Sequence, residues 1–153
     1  GLLLSADGSV QSAGIAVGAA GVTNVMRGFN PEADGYAGSL ICAREVNAIA
    51  SDCLIVKREL FRELGGFNEH FSAQFYDVDL CLRLRIAGRR ILFTPRVVLN
   101  QQVTQSPVAN VNLVDQTLLL DRWQPEMAAE GNTGDPYYNP NFDPLKADYS
   151  LSR

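Results

Sequence analysis

The stretch Phe75-Tyr76-Asp77-Val78-Asp79-Leu80-Cys81-Leu82-Arg83-Leu84-Arg85 decides how this chain is read. Two carboxylates stand two residues apart, and an apolar run studded with arginine follows at once. Leu80 and Leu84 are four apart, so they share a helical face that Cys81 widens. Asp77 and Asp79 then fall at the start of the helix, where a side-chain carboxylate accepts from unpaired N–H groups. Near the surface, at the positive end of the helix, such a carboxylate is held ionised. Placed at the mouth of a cleft, it can take a proton from a hydroxyl nucleophile. On spacing alone, capping is the stronger reading, since helix N-termini collect Asp in any protein.

The neighbours of the stretch change that balance. Upstream lie Cys53-Leu54-Ile55-Val56-Lys57-Arg58-Glu59-Leu60-Phe61 and Leu64-Gly65-Gly66-Phe67-Asn68-Glu69. Downstream comes Ala87-Gly88-Arg89-Arg90-Ile91-Leu92-Phe93-Thr94-Pro95. In that order and spacing the block resembles the C-terminal half of the catalytic domain of family-2 glycosyltransferases, which have the GT-A fold. It is most similar to bacterial members that make O-antigen and other surface polysaccharides. Asp7-Gly8 with Val10-Gln11-Ser12-Ala13-Gly14 is similar to a hairpin of those enzymes, and Asp135-Pro136-Tyr137-Tyr138-Asn139-Pro140-Asn141 to their closing motif.

The resemblance implies an α/β fold, a mixed sheet with flanking helices. Residues 1–125 would be the acceptor-side half of the domain, and 126–153 an extension packing on it. The fold opens with a nucleotide-binding half whose Asp-x-Asp motif holds metal and sugar diphosphate. This chain starts where the acceptor half starts, so it is expected to be part of a longer enzyme whose donor half lies elsewhere. The implied reaction is inverting transfer of a sugar from a nucleotide-sugar to a glycan hydroxyl. Asp77 matches the general base, and Asp79 a structural or acceptor-orienting residue. Ser51 and Asp52 match the loop that faces the acceptor. Where the family motif has Glu before the base, this chain has Tyr76.

A second departure follows the strand-like Val97-Val98-Leu99, where the family commonly carries histidine that can help hold a divalent metal. Here Asn100-Gln101-Gln102 supplies amides. Amides replace imidazole poorly at transition metals, though their carbonyl oxygens serve hard cations such as magnesium. Magnesium or manganese is therefore expected in the parent enzyme only, and no cofactor in this chain. The alternative function is a non-catalytic glycan-binding or interaction module of the same fold. A glycosidase fits less well, because Asp residues at i and i+2 do not place carboxyls across a scissile bond.

Composition bounds the rest. The 153 residues suit one domain with one core, and 46% hydrophobic with 20% charged residues is ordinary for a globular chain. A net charge of −4 argues against a nucleic-acid partner. Arg83, Arg85, Arg89, Arg90 and Arg96 read as a solvated helix flank. Cys42, Cys53 and Cys81 fit free buried thiols in a reducing, cytoplasmic setting. His70 is the only histidine, so no His-based metal cluster or triad can be assembled. No apolar run has the length of a membrane span, and the Gly14–Gly21 stretch has no GKS/T, which excludes a P-loop.

In chain order, Leu2–Leu4, the Asp7-Gly8 turn and Val10–Val17 predict a hairpin. Thr23–Gly38 reads as a long loop, and Arg44–Ile49 and Cys53–Val56 as strands broken at Ser51-Asp52. Lys57–Leu64 reads as a helix stopped by Gly65, with Phe67 beyond it expected to plug the core. Gly88 should stop the Asp77 helix. Ile91–Phe93 and Val97–Leu99 read as strands. Val111–Ala129 reads as a helix interrupted at Pro125, and the aromatic tail should pack across the body. A sheet cut at its centre is expected to self-associate through its open edge.

Overall fold

A computed structural model describes residues 1–18, 21–102, 111–129, 135–143 and 145–151, without the side chains of 126–129. The strands are Leu2–Leu4 (β1), Val10–Ser12 (β2), Ile15–Gly18 (β3), Gly21–Asn24 (β4), Arg44–Glu45 (β5), Leu92–Phe93 (β6) and Val98–Asn100 (β7). The helices are Arg58–Glu63 (α1), Tyr76–Ile86 (α2) and Leu113–Ala129 (α3). The fold is mixed α/β. β1 pairs antiparallel with β2 and parallel with β7, giving a mixed sheet in the order β2-β1-β7. The β1–β2 turn is the expected one: Gly8 takes a φ of 84°, and Ser9 donates its N–H and hydroxyl to Asp7 Oδ1 at 2.9 and 2.7 Å. β3 pairs with β4, and β5 with β6, both antiparallel.

The central helix α2 buries Val78, Asp79, Leu80, Cys81, Leu82 and Leu84, which point in several directions around its axis. A helix sequestered all round sits in the middle of a core, not on its edge. The same core cluster holds Val10, Val17, Leu40, Ala48, Phe93, Leu119 and Trp123. Burial pushes the Cys81 thiol up to about 12, so it is an inert core group. Cys53 is also buried, whereas Cys42 is exposed. At the end of α2, Gly88 has a φ of 72° and Arg89 N–H reaches back to Leu84 O at 2.9 Å, a left-handed helix stop. Gly65, with a φ of 79°, ends α1 in the same way.

Several local expectations are corrected. Only Arg44–Glu45 of the 44–49 segment is a strand, because Ala48 finds just one bridge, to Ile15. Ser51–Cys53 is a 3-10 turn and the segment after it has no strand partner among the described residues. α3 continues through Pro125 instead of stopping there. Phe67 is 41% exposed and lies edge-on between Phe61 and Tyr76, with centroids 5.2 and 5.1 Å away. Arg83 and Arg85 turn inward: Arg83 onto buried Asp79, Arg85 onto Asn47 Oδ1 and the face of Tyr137.

The tail does pack on the body. Buried Asp135 accepts Val17 N–H through Oδ2 at 2.8 Å, and Met26 N–H donates to Ala147 O at 3.0 Å. Tyr36 stacks on Tyr149 at 4.9 Å, and Tyr138 and Phe142 complete that aromatic group.

One face stays open. β7 pairs on one side only among the described residues, and Val97, Val98 and Leu99 are 40–46% exposed. A groove of about 880 Å³, lined by Leu54, Ile55, Leu60, Ile91, Leu92 and Val97, runs beside it. Free strand edges and apolar patches of this kind promote association. The isolated chain is expected to form a dimer or larger oligomer in static light scattering; a constant monomer mass from micromolar to millimolar concentration contradicts this. Among the described residues no helix is long and apolar enough to cross a membrane.

Candidate active site

α2 begins at a residue in a strained backbone conformation. Phe75, its N-cap, is left-handed with φ 67° and ψ 0°, and makes no side-chain cap bond. A bulky residue in that region costs on the order of 1–3 kcal/mol and is found where the surroundings over-determine it. Asp77 therefore stands inside the first turn instead of capping it. Its Oδ1 accepts Val78 N–H at 2.9 Å, a first-turn donor, and its Oδ2 accepts Ser51 N–H at 2.8 Å. The second bond fastens the Ser51–Cys53 turn onto the helix start. The Ser51 and Tyr76 hydroxyls lie 3.3 Å apart beside it.

These groups open on a cavity of about 440 Å³. Ser51, Asp52, Tyr76 and Asp77 form one side, and Gln101, just past β7, lies on it too. The hairpins contribute Gln11 and Asn24, with Arg27 following β4. Burial raises the proton affinity of Asp77 above that of an ordinary carboxyl, and the nearby Asp52 charge adds to this. The Ser51 and Val78 N–H groups pull the other way without cancelling the rise. The expectation of a carboxylate held ionised near the surface by the helix dipole thus gives way to a partly buried one with strengthened basicity. Such a group, facing a polar cavity, is suited to accept a proton from a hydroxyl.

Asp79 occupies a different environment. It is fully buried, with Oδ2 accepting Arg83 Nε at 2.8 Å. Its Oδ1 accepts Trp123 Nε1 at 3.0 Å and forms an ion pair with Arg122 Nε at 3.1 Å. Arg83 continues to Leu64 O and Gly66 O at 2.6 and 2.8 Å, tying the Gly65-Gly66 turn to α2. Asp79 is not among the described residues that line the cavity; it faces Arg83, Arg122 and Trp123. Sequence reading missed Tyr76, Gln74 and Arg27 as cavity residues. Tyr76 had a signal, being the residue directly before Asp77 in the motif; the others sit in loops with none.

Among the described residues, no three His, Cys, Asp or Glu side chains come together as a metal-binding set. Asp52, Asp77 and the Gln101 amide share the cavity, but two carboxylates and an amide on separate segments are not such a set, and Gln102 is exposed.

Comparison with known proteins relates the chain to bacterial polysaccharide glycosyltransferases. It is 34% identical over 99% of its length to the O-antigen biosynthesis protein RfbC of Myxococcus xanthus, covering 12% of that protein. It is 32% identical over 95% of its length to the uncharacterized protein y4gI of Sinorhizobium fredii, covering 16% of it. A 52-residue part is 38% identical to an N-acetylglucosaminyl-diphospho-decaprenol L-rhamnosyltransferase of Mycobacterium tuberculosis, over 34% of this chain and 17% of that one. The matched residues thus span less than a fifth of each of these relatives. No family model matches it, and no solved structure matches it significantly.

Proposed function

We propose that this chain is the acceptor-side half of a GT-A domain of glycosyltransferase family 2, with 126–153 as an extension on 1–125. In a longer polypeptide it would serve inverting transfer from a nucleotide-sugar to a hydroxyl of a bacterial surface glycan. The observation that carries this reading is the meeting of Ser51, Asp52, Tyr76 and Asp77 at one cavity, with Asp77 made more basic by burial. Asp77 takes the proton of the attacking hydroxyl as the new C–O bond forms at the anomeric carbon and the bond from that carbon to the departing nucleoside diphosphate breaks. Ser51 fixes that carboxylate through its N–H. The Ser51 and Tyr76 hydroxyls, with Asp52, offer donors and acceptors for the other hydroxyls of the acceptor sugar. A divalent cation on the sugar diphosphate would be held with the donor, and no step assigned to these residues passes through it.

Gln101 favours a second reading, a glycan-binding module without transfer, since it places an amide at the cavity where the family carries histidine. Amide-resolved NMR titration of the chain tests both. Oligosaccharides of O-antigen type are expected to shift Ser51, Asp52 and Tyr76, and the absence of any shift there contradicts an acceptor site. UDP-, GDP- and dTDP-sugars are expected to give no saturable heat in calorimetry. Micromolar binding of any of them contradicts the assignment of the donor site to a segment outside this chain.

A further inference from the structure

We propose that Asp115, in the first turn of α3, is a positioning residue for the Asp77 carboxylate, acting through the loop Ser72–Gln74. Carboxylates are rarely buried without a dedicated partner set, and Asp115 is fully buried. Its Oδ1 accepts Ser72 N–H at 3.0 Å, and its Oδ2 accepts the N–H groups of Ala73 and Gln74, both at 2.9 Å. The Ser72 hydroxyl reaches both oxygens, at 3.2 and 3.3 Å. Asn112 adds a second tie. Its Oδ1 caps α3 by accepting Val114 N–H at 3.1 Å, its Nδ2 donates to Ser72 Oγ at 2.9 Å, and its N–H donates to Gln74 Oε1 at 3.1 Å. Three consecutive backbone donors, Ser72 first, hold the Asp115 carboxyl down to about 2.

The clamped loop runs straight into the left-handed Phe75, then Tyr76 and Asp77. Ala73 and Gln74 line the same cavity as Asp77. A bulky residue keeps φ near 67° only when both flanks are restrained. Beyond Phe75 the restraint is helical, with Asp79 N–H donating to Phe75 O at 2.9 Å. Before Phe75 it is the Asp115 clamp. The direction in which α2 leaves Phe75 decides whether Asp77 Oδ2 meets Ser51 N–H, and a reacting carboxylate is sensitive to displacements of a fraction of an ångström. α3, which also delivers Arg122 and Trp123 to Asp79, therefore sets the site from two points.

The functional weight of this inference rests on Asp77 being the base, but its geometry is tested separately. Amide hydrogen exchange of the ¹⁵N-labelled chain is measured for wild type, Asp115→Asn and Asn112→Ala, well below each melting temperature. Asparagine turns an NH₂ toward backbone donors that need an acceptor, so Ser72, Ala73 and Gln74 are expected to exchange about tenfold faster or more. The decisive amides are Ser51 and Val78, which donate to Asp77 and have no hydrogen bond to either mutated residue. Both are expected to accelerate, more in Asp115→Asn than in Asn112→Ala. Faster exchange confined to Ser72–Gln74 overturns the proposal and leaves Asp115 a local fold stabiliser. Should Asp115→Asn not fold, Asn112→Ala, which keeps the carboxylate, decides by the same comparison. Loss of this proposal leaves the assignment of Asp77 standing, and the reverse also holds.

Discussion

Asp79→Asn is expected to lower the stability of the chain by about 3 kcal/mol, toward the low end of what breaking a buried ion pair costs. For a domain of this length that is a fall in Tm of roughly 10 °C. The reason is the partner set. Asp79 is fully buried, and its two oxygens serve Arg83, Arg122 and Trp123. Asparagine removes the charge and one acceptor, leaving Arg83, whose side chain is only 14% exposed, against neutral groups. Arg122, 46% exposed, can turn to water, which keeps the loss from being larger. Because Arg83 also holds Leu64 O and Gly66 O, the Gly65-Gly66 turn should loosen with it. Thermal unfolding by circular dichroism checks this, and a Tm within 2 °C of wild type, on the scale of a surface substitution, contradicts it.

Asp77→Asn should behave in the opposite manner. The amide keeps the shape and one acceptor for Ser51 or Val78, but it turns an NH₂ toward the other N–H as it loses the basic oxygen. In a longer polypeptide able to bind donor, transfer is expected to fall by about 10²–10⁴, the usual contribution of a positioned general base. Stability should change little at neutral pH, because removal of a buried charge offsets the lost acceptor. Burial raises the folded-state value of Asp77 above the ordinary 3.8, so the folded chain favours the protonated form. The stability this adds is fully present below pH 3.8 and is lost as pH rises through the raised value. At neutral pH the wild type therefore carries a buried charge that the amide removes, and the Tm of Asp77→Asn relative to wild type should be higher at pH 7 than at pH 3.

The contrast between these neighbours shows where sequence reading stops. Leu80, Leu84 and Gly88 announced α2 because a 3.6-residue period and a left-handed stop are local properties. Asp7-Gly8 announced the β1–β2 turn for the same reason. The division of labour between Asp77 and Asp79 is not local. Residues two apart on a helix point about 200° apart, so one carboxylate faces the cavity and the other the core. Which is which depends on Trp123, 44 positions away, and on Ser51, 26 positions away. The Asp79–Arg83 pair has i,i+4 spacing, but five clustered arginines read equally as a solvated flank until the fold buries Asp79 beneath one of them. The strand read into Cys53–Val56 failed because Cys53 closes a 3-10 turn and the residues after it find no strand partner among the described residues. The aromatic content of the tail predicts packing across the body, and Phe142 and Tyr149 meet Tyr36 there.

The central claim is that Asp77 is the base that activates an acceptor hydroxyl. The most direct test is the initial rate of sugar transfer by a longer polypeptide carrying this chain, wild type beside Asp77→Asn, with nucleotide-sugar and acceptor glycan saturating. The account predicts a rate lower by about 10²–10⁴ with Tm at neutral pH close to wild type. Wild-type turnover in Asp77→Asn, or a rate loss that simply follows unfolding, contradicts it and leaves Asp77 a residue that fastens Ser51 to α2.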